Sequence, residues 1–216
     1  MSRPGDIRRL LAAAPVLPIA TIASAGDACD LARALLAGGI GAVEVTLRTP
    51  ESLAAIEAIA RGVPGIALGA GTVLTREDMR RAANAGAVFM ISPGISPELL
   101  AAGRELKVPY LPGIATASEI QLGMAAGYDC FKFFPAVGLG GPAALSALAG
   151  PFPRLAFCAT GGITAETAAS YLELPNVIAV GGPWIAPAEA IARREWAAIE
   201  ARALAASARF RARAAS

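Results

Sequence analysis

The sequence predicts an α/β protein, a single (β/α)8 TIM barrel spanning 1–216. Two observations lead there. Short apolar runs alternate with longer Ala/Leu-rich segments of helical spacing, near 16–22, 41–47, 66–70, 87–91, 109–112, 129–134, 154–158 and 177–180. Eight strand–helix units in this chain average about 27 residues each, compact but sufficient for a barrel. Polar residues with chemical potential also stand at the ends of several runs, which favours a closed ring, because barrel sites are assembled from several strand ends. A doubly wound open sheet shares the same rhythm and is the alternative. No shift in composition marks a second domain.

The first run, 16–22 (VLPIATI), reads as a strand, since proline is tolerated near a strand start. Arg8-Arg9, the apolar stretch 10–23 and Ser24-Ala25 also have the outline of a secretory signal, but Pro15 and Pro18 would break its helical core. Ser24 and Asp27 precede a helix carrying Leu31, Leu35 and Leu36, and Thr49-Pro50-Glu51 opens the next. Thr75–Asp78 and Thr116–Glu119 have capping-box spacing, Ser96–Leu99 has it in part, and Thr164–Glu166 opens a late helix. Gly38, Gly62, Gly86, Gly103 and Gly127 are expected to close helices as left-handed C-terminal residues. The last helix starts after Ile185. Arg193, Arg194, Arg202, Arg209, Arg211 and Arg213, interrupted by Glu195 and Glu200, read as its solvated face, with a frayed Arg/Ala-rich tail from about 205.

Composition narrows the chemistry. Hydrophobic residues make up 55% and charged residues 17%, which excludes a disordered chain. The 19 basic and 17 acidic side chains give a net charge of +2, too balanced for a nucleic-acid footprint. No stretch reads as a membrane span. The absence of histidine removes the usual general base, Ser-His nucleophile systems and the commonest metal ligand. Cys29, Cys130 and Cys158 are odd in number and scattered, so neither a disulfide framework nor a zinc site is expected; reduced thiols fit a cytoplasmic location.

Two strands carry the argument. In 42–48 (AVEVTLR), Val43, Val45 and Leu47 share one face, and Glu44, Thr46 and Arg48 the other. A buried parallel strand is expected to be apolar on both faces, so the polar line must point into the ring. A carboxylate and a guanidinium there need each other, or a ligand. They are either a structural pair or an acid/base beside an anion binder. In 129–135 (DCFKFFP), Lys132 stands among aromatic residues; it is one of only two lysines in the chain. Desolvation disfavours an ammonium, as does a neighbouring cation, the part assigned here to Arg48, and an uncharged amine can attack a ketone. A lysine paired with a buried acid is the structural alternative. Lys107, after Glu105 at a helix end, reads as an ordinary surface residue.

Glycine-rich turns follow the later runs: Gly161-Gly162, and Gly181-Gly182-Pro183 before Trp184. Backbone N–H groups and helix N-termini after the last two strands of a barrel often hold phosphate. Strand-end turns at 69–72 (GAGT), Ser92-Pro93-Gly94 and Pro112-Gly113 complete the mouth, where Thr72 offers a hydroxyl.

Taken in order, GGIGAVEVTLRTP, GAGTVLT, ISPGIS, LPGIATASE, DCFKFFPA, FCATGGIT and GGPWI resemble the 2-keto-3-deoxy-6-phosphogluconate (KDPG) and 4-hydroxy-2-oxoglutarate (KHG) aldolase family, from about Pro15 to Trp184. The resemblance implies a cytoplasmic class I aldolase of Entner–Doudoroff carbohydrate metabolism, usually a homotrimer. It would take 2-keto-3-deoxy acids and pyruvate, with a covalent Schiff base and neither metal nor other cofactor. By the same resemblance, Lys132 is the Schiff-base lysine and Glu44 the acid/base. Arg48, Thr72 and Pro93 touch the pyruvate portion, and Gly161, Gly162, Gly181, Gly182 and Pro183 form the phosphate region. Two positions depart from the pattern. Pro183 stands where some relatives carry serine, and Ala115 where serine is common. Proline brings neither hydroxyl nor N–H, which gives weight to an unphosphorylated or galactonate-type 2-keto-3-deoxy acid. Two further readings are an isomerase or epimerase barrel using Glu44 without an adduct, and a non-catalytic metabolite-binding barrel.

Overall fold

The computed structural model describes residues 5–210. Its strands are β1 (Val16–Ala20), β2 (Ala42–Thr46), β3 (Ala67–Gly71), β4 (Phe89–Ile91), β5 (Tyr110–Leu111), β6 (Gly113–Ile114), β7 (Cys130–Phe133), β8 (Ala156–Thr160) and β9 (Val177–Gly182). The helices are α1 (Gly5–Ala13), α2 (Ala28–Ala37), α3 (Ser52–Gly62), α4 (Arg76–Asn84), α5 (Pro97–Glu105), α6 (Ala117–Ala125), α7 (Gly141–Ala149), α8 (Ala168–Leu172), α9 (Ala188–Ala192) and α10 (Trp196–Phe210). All strand pairings are parallel, and the sheet order is β5-β4-β3-β2-β1-β9-β8-β7-β6. The two end strands, β5 and β6, are separated only by Pro112. The run expected as one fifth strand is therefore broken by the residue that cannot donate to a ladder, and the ring closes through it.

Local chemistry explains the helix starts. Thr75 with Asp78, and Thr116 with Glu119, form reciprocal capping boxes, and Ser96 Oγ accepts from the Leu99 N–H. Asp27 precedes α2 without capping it; its carboxylate instead accepts from Arg194 Nε at 2.8 Å. Glycine placement departs from expectation at three sites. Gly38 is a C-cap with φ −78°, and the left-handed residue is Gly39. Gly62 is the last residue of α3. Gly103 lies inside α5, where a side chain would press on Tyr110 and Tyr128; left-handed Lys107 ends that segment. Gly86 and Gly127 do take left-handed backbone just past α4 and α6.

Two apolar clusters result. The larger lies between strands and helices and holds Val43 and Val45 of β2. The smaller fills the ring, with Leu17, Phe89, Ile91, Leu111, Cys130 and Cys158. Ile7 and Leu11 of α1 belong to this inner cluster, so α1 plugs the ring at the end where the strands begin. The apolar segment that resembles a secretory signal is thus divided between α1 and the ring strand β1. α10 stays helical through Phe210, past the point where fraying was expected; 211–216 lie outside the described residues. Among the described residues, no helix is long and apolar enough to cross a membrane.

Candidate active site

Glu44 and Lys132 sit on strands that are not neighbours in the sheet order, and their side chains meet inside the ring. Glu44 is on the inner face of β2, as the alternation of 42–48 requires, and is buried. Its neighbour across the ladder is β3, paired Glu44 to Gly69 and Thr46 to Gly71. A Cβ on Gly71 would overlap Glu44 Oε1, so the absent side chain is the space the carboxylate occupies. Lys132 is buried on β7, its backbone N–H donating to Pro112 O at 2.9 Å. Its Nζ donates to Glu44 Oε1 at 3.4 Å and lies 5.3 Å from the centre of the Phe134 ring. Each buried charge thereby has a partner, which avoids the several kcal/mol, on the order of 3–5, that an isolated one costs.

The mouth carries the next groups. Thr46 follows Glu44 on the inner line and is tied to β1, its hydroxyl 3.0 Å from Thr21 Oγ1 and donating to Ala20 O. Arg48 lies just past β2 and is exposed, with Nε donating to Thr72 Oγ1 at 2.9 Å. Thr72, just past β3, has φ +58°, a left-handed conformation strained for a β-branched residue. Lys132 is partnered by the Glu44 carboxylate, and Arg48, the cation expected near it, is engaged with Thr72 at the rim.

Pro93 is half-buried in the turn after β4, its backbone packed so closely on Gly113 that a side chain there would overlap it. Gly113 is the register partner of Lys132, which brings the Pro93 turn to the lysine's level. Gly161 and Gly162 form the turn after β8 with φ +103° and +78°. A Cβ on either would stand 2.9 Å from Pro135 Cα or Val137 Cβ, so this turn is wedged against the loop after β7. Gly181 and Gly182 are not in a turn, as the sequence suggested; they are the last two residues of β9, and buried. Gly181 makes room for Thr160, Gly182 for the Trp184 ring, and only Pro183 is exposed.

Several site residues escaped the sequence reading. Cys158 is the register partner of Lys132. Burial pushes its thiol up to about 12; Lys132 opposes that shift and Glu44 adds to it. It therefore stays protonated beside the lysine instead of competing as a nucleophile. Thr160, and Ser92, which the sequence marked only as part of a turn, are buried polar residues at strand ends. The alternating glycines of 69–71 were the available signal for Gly71: small residues at every second strand position mark a close approach from one side.

The arrangement is a buried primary amine, a carboxylate 3.4 Å from it, and a guanidinium at the rim. Such a set is suited to carbonyl–amine chemistry on a small anionic substrate. Comparison with known proteins points the same way. The family described as "Aldolase: KDPG and KHG aldolase" matches residues 7–202. The chain is 46% identical over 187 residues to the 2-dehydro-3-deoxy-phosphogluconate aldolase of Pseudomonas aeruginosa, covering 87% of this chain and 85% of that protein. It is 46% identical to the KHG/KDPG aldolase of Escherichia coli over 182 residues, 84% of this chain and 85% of the other. Among solved structures, it is similar to the KDPG aldolase of Legionella pneumophila, in which pyruvate was captured as a covalent carbinolamine. The TM-score is 0.90 at 46% identity, over 94% of this chain and 98% of the other.

Proposed function

This chain belongs to the KDPG and KHG aldolase family, and from that premise we propose that it is a class I aldolase whose Schiff base forms on Lys132. It cleaves 2-dehydro-3-deoxy-6-phosphogluconate to pyruvate and glyceraldehyde 3-phosphate, with 4-hydroxy-2-oxoglutarate, giving pyruvate and glyoxylate, as a second substrate. The observation that carries the assignment is the buried Lys132–Glu44 pair, 3.4 Å apart, since such a scheme requires an amine and a proton carrier together.

In this reading Lys132 gives up a proton to Glu44, and its neutral Nζ adds to the C2 ketone. The carbinolamine loses water to leave an iminium. Glu44, having released its proton to that water, removes the C4 hydroxyl proton. The C3–C4 bond breaks, its electron pair moves into the iminium to form an enamine, and the aldehyde leaves. The enamine takes a proton at C3 from Glu44, and water hydrolyses the iminium to release pyruvate and the free amine. The iminium is the electron sink, so the scheme requires no metal ion. Arg48 and Thr72, already hydrogen-bonded to each other, hold the substrate carboxylate, with Pro93 also at the pyruvate portion. Gly161 and Gly162 offer backbone N–H groups to the phosphate, beside Gly181, Gly182 and Pro183. The assembly in this reading is a homotrimer. Three free thiols suit a reducing cytoplasm.

Borohydride added with pyruvate tests the assignment: the hydride reduces the iminium carbon and leaves a stable secondary amine on Lys132. Unmodified protein, or an adduct on another residue, removes the scheme. Cleavage rates for the phosphorylated sugar acid against its unphosphorylated analogue then decide the substrate; equal rates would take the phosphate role from the glycine region.

A further inference from the structure

Pro112 leaves a gap in the ring that a side chain fills. β5 pairs with β4, and β6 pairs with β7. Between them Pro112 has no N–H, and its carbonyl is already used by the Lys132 N–H. The connection back to β4 is made by Ser92, the first residue after that strand and fully buried. Its backbone N–H donates to Leu111 O at 3.3 Å, and its hydroxyl accepts from the Gly113 N–H at 3.3 Å. The same hydroxyl donates to Gly94 O at 2.5 Å and lies 2.6 Å from Tyr110 Oη. A serine hydroxyl has one proton and two lone pairs. With the proton on Gly94 O, both remaining contacts are accepted bonds, so Tyr110 is the donor. Burial pushes the Tyr110 phenol up, which keeps that donor proton in place. The hydroxyl is therefore saturated, and the seam has no slack, because Gly113 packs directly on the Pro93 backbone.

We propose that Ser92 is a positioning residue for Lys132: its hydroxyl locks Gly113 and Pro112, the backbone on which Lys132 rests, against the Pro93 turn. The inference rests on the Schiff-base reading. Ser92 touches no substrate in it; it holds the β7 backbone and the Pro93 turn at one separation, so that the amine meets the ketone carbon while still in reach of Glu44. A misplacement of the reacting groups by a fraction of an ångström is felt in the rate of bond formation more than in substrate capture.

The test compares Ser92→Ala and Ser92→Cys with Tyr128→Phe, following the rate at which excess pyruvate becomes trappable by borohydride on Lys132. Tyr128 is the control: its ring packs edge-on against Tyr110 at 5.7 Å, but its hydroxyl donates to Leu100 O and has no part in the seam. Ser92→Ala is expected to slow trapping and kcat roughly 10-fold or more with a smaller change in KM, and Ser92→Cys to fall between it and wild type. Tyr128→Phe is expected to lower Tm yet trap pyruvate within about two-fold of the wild-type rate, because a lost buried hydrogen bond there costs stability alone. Should Ser92→Ala fail to fold, Ser92→Cys, of nearly the same shape, supplies the deciding rate. A Ser92 variant that traps at the wild-type rate overturns the positioning role and leaves the Schiff-base reading intact. A wild-type protein that traps no pyruvate on Lys132 overturns both.

Discussion

Lys132 Nζ lies 3.4 Å from Glu44 Oε1, although the residues are 88 apart in sequence and their side chains only 5% and 2% exposed. The separation is longer than the usual 2.7–2.9 Å, roughly, of a charge-assisted hydrogen bond. Catalytic contacts of this kind are often long without substrate and tighten when it binds. Burial makes each group depend on the other, and the following expectations start from that dependence.

Lys132→Ala should abolish turnover and adduct formation; circular dichroism should remain native, since the ring and both apolar clusters are built by other residues, while Tm falls because Glu44 is left buried without its partner. Glu44→Gln should keep the fold and slow turnover by roughly 10²- to 10⁴-fold, the usual scale of general acid–base catalysis. Steady-state kinetics on both variants decide; a near-wild-type rate for the glutamine variant takes Glu44 out of proton transfer.

Gly71→Ala should disable the enzyme although it replaces neither Lys132 nor Glu44. The added methyl falls on Glu44 Oε1, and the carboxylate must swing away from Lys132. A drop in kcat of about 10²-fold is expected from displaced geometry alone. A crystal structure of the variant should show a longer Lys132–Glu44 separation; an unmoved carboxylate with full activity would contradict this account.

Arg48→Ala should raise KM more than it lowers kcat, because the guanidinium sits at the rim and in the proposed reading holds the substrate carboxylate rather than the reacting bond. Arg48→Lys should not restore binding fully, since an ammonium cannot offer paired planar donors. If both variants bind pyruvate as tightly as wild type in a trapping titration, Arg48 has no part in carboxylate recognition.

Stability should fall in alkali. Burial raises the Cys130 and Cys158 thiols above their ordinary 9.0, and the Tyr110 and Tyr128 phenols above 10.0, the last to about 12. In each case the folded protein holds the neutral form and the unfolded chain ionises first. Their contribution is complete below pH 9, declines as the unfolded thiols titrate near 9 and the phenols near 10, and is lost as pH rises through the folded values. Tm measured from pH 8 to 11 should begin to drop near pH 9; a flat profile across that range would show that these groups do not titrate on unfolding. At pH 8, iodoacetamide should modify half-buried Cys29 well before the other two.

Much of this was legible in the chain. The period-two pattern of 42–48 placed Glu44 on an inner face, because a buried strand has no other reason for a polar row. The hydroxyl-to-acid spacings at Thr75 and Thr116 marked helix starts, because a cap is a local bond within four residues. Lys132, alone among aromatics, announced a buried amine. What tertiary structure alone decided was which partners these residues meet. Ring closure brings β2 and β7 to face each other, so the lysine meets the Glu44 carboxylate. The proline break makes Ser92 part of the ring, and the end of β9 falls two residues later than a glycine pair suggests. Spacing along a chain reports contacts between near neighbours. Contacts across a barrel depend on tilt, register and the space that absent side chains such as that of Gly71 leave open, and those exist only once the strands have closed.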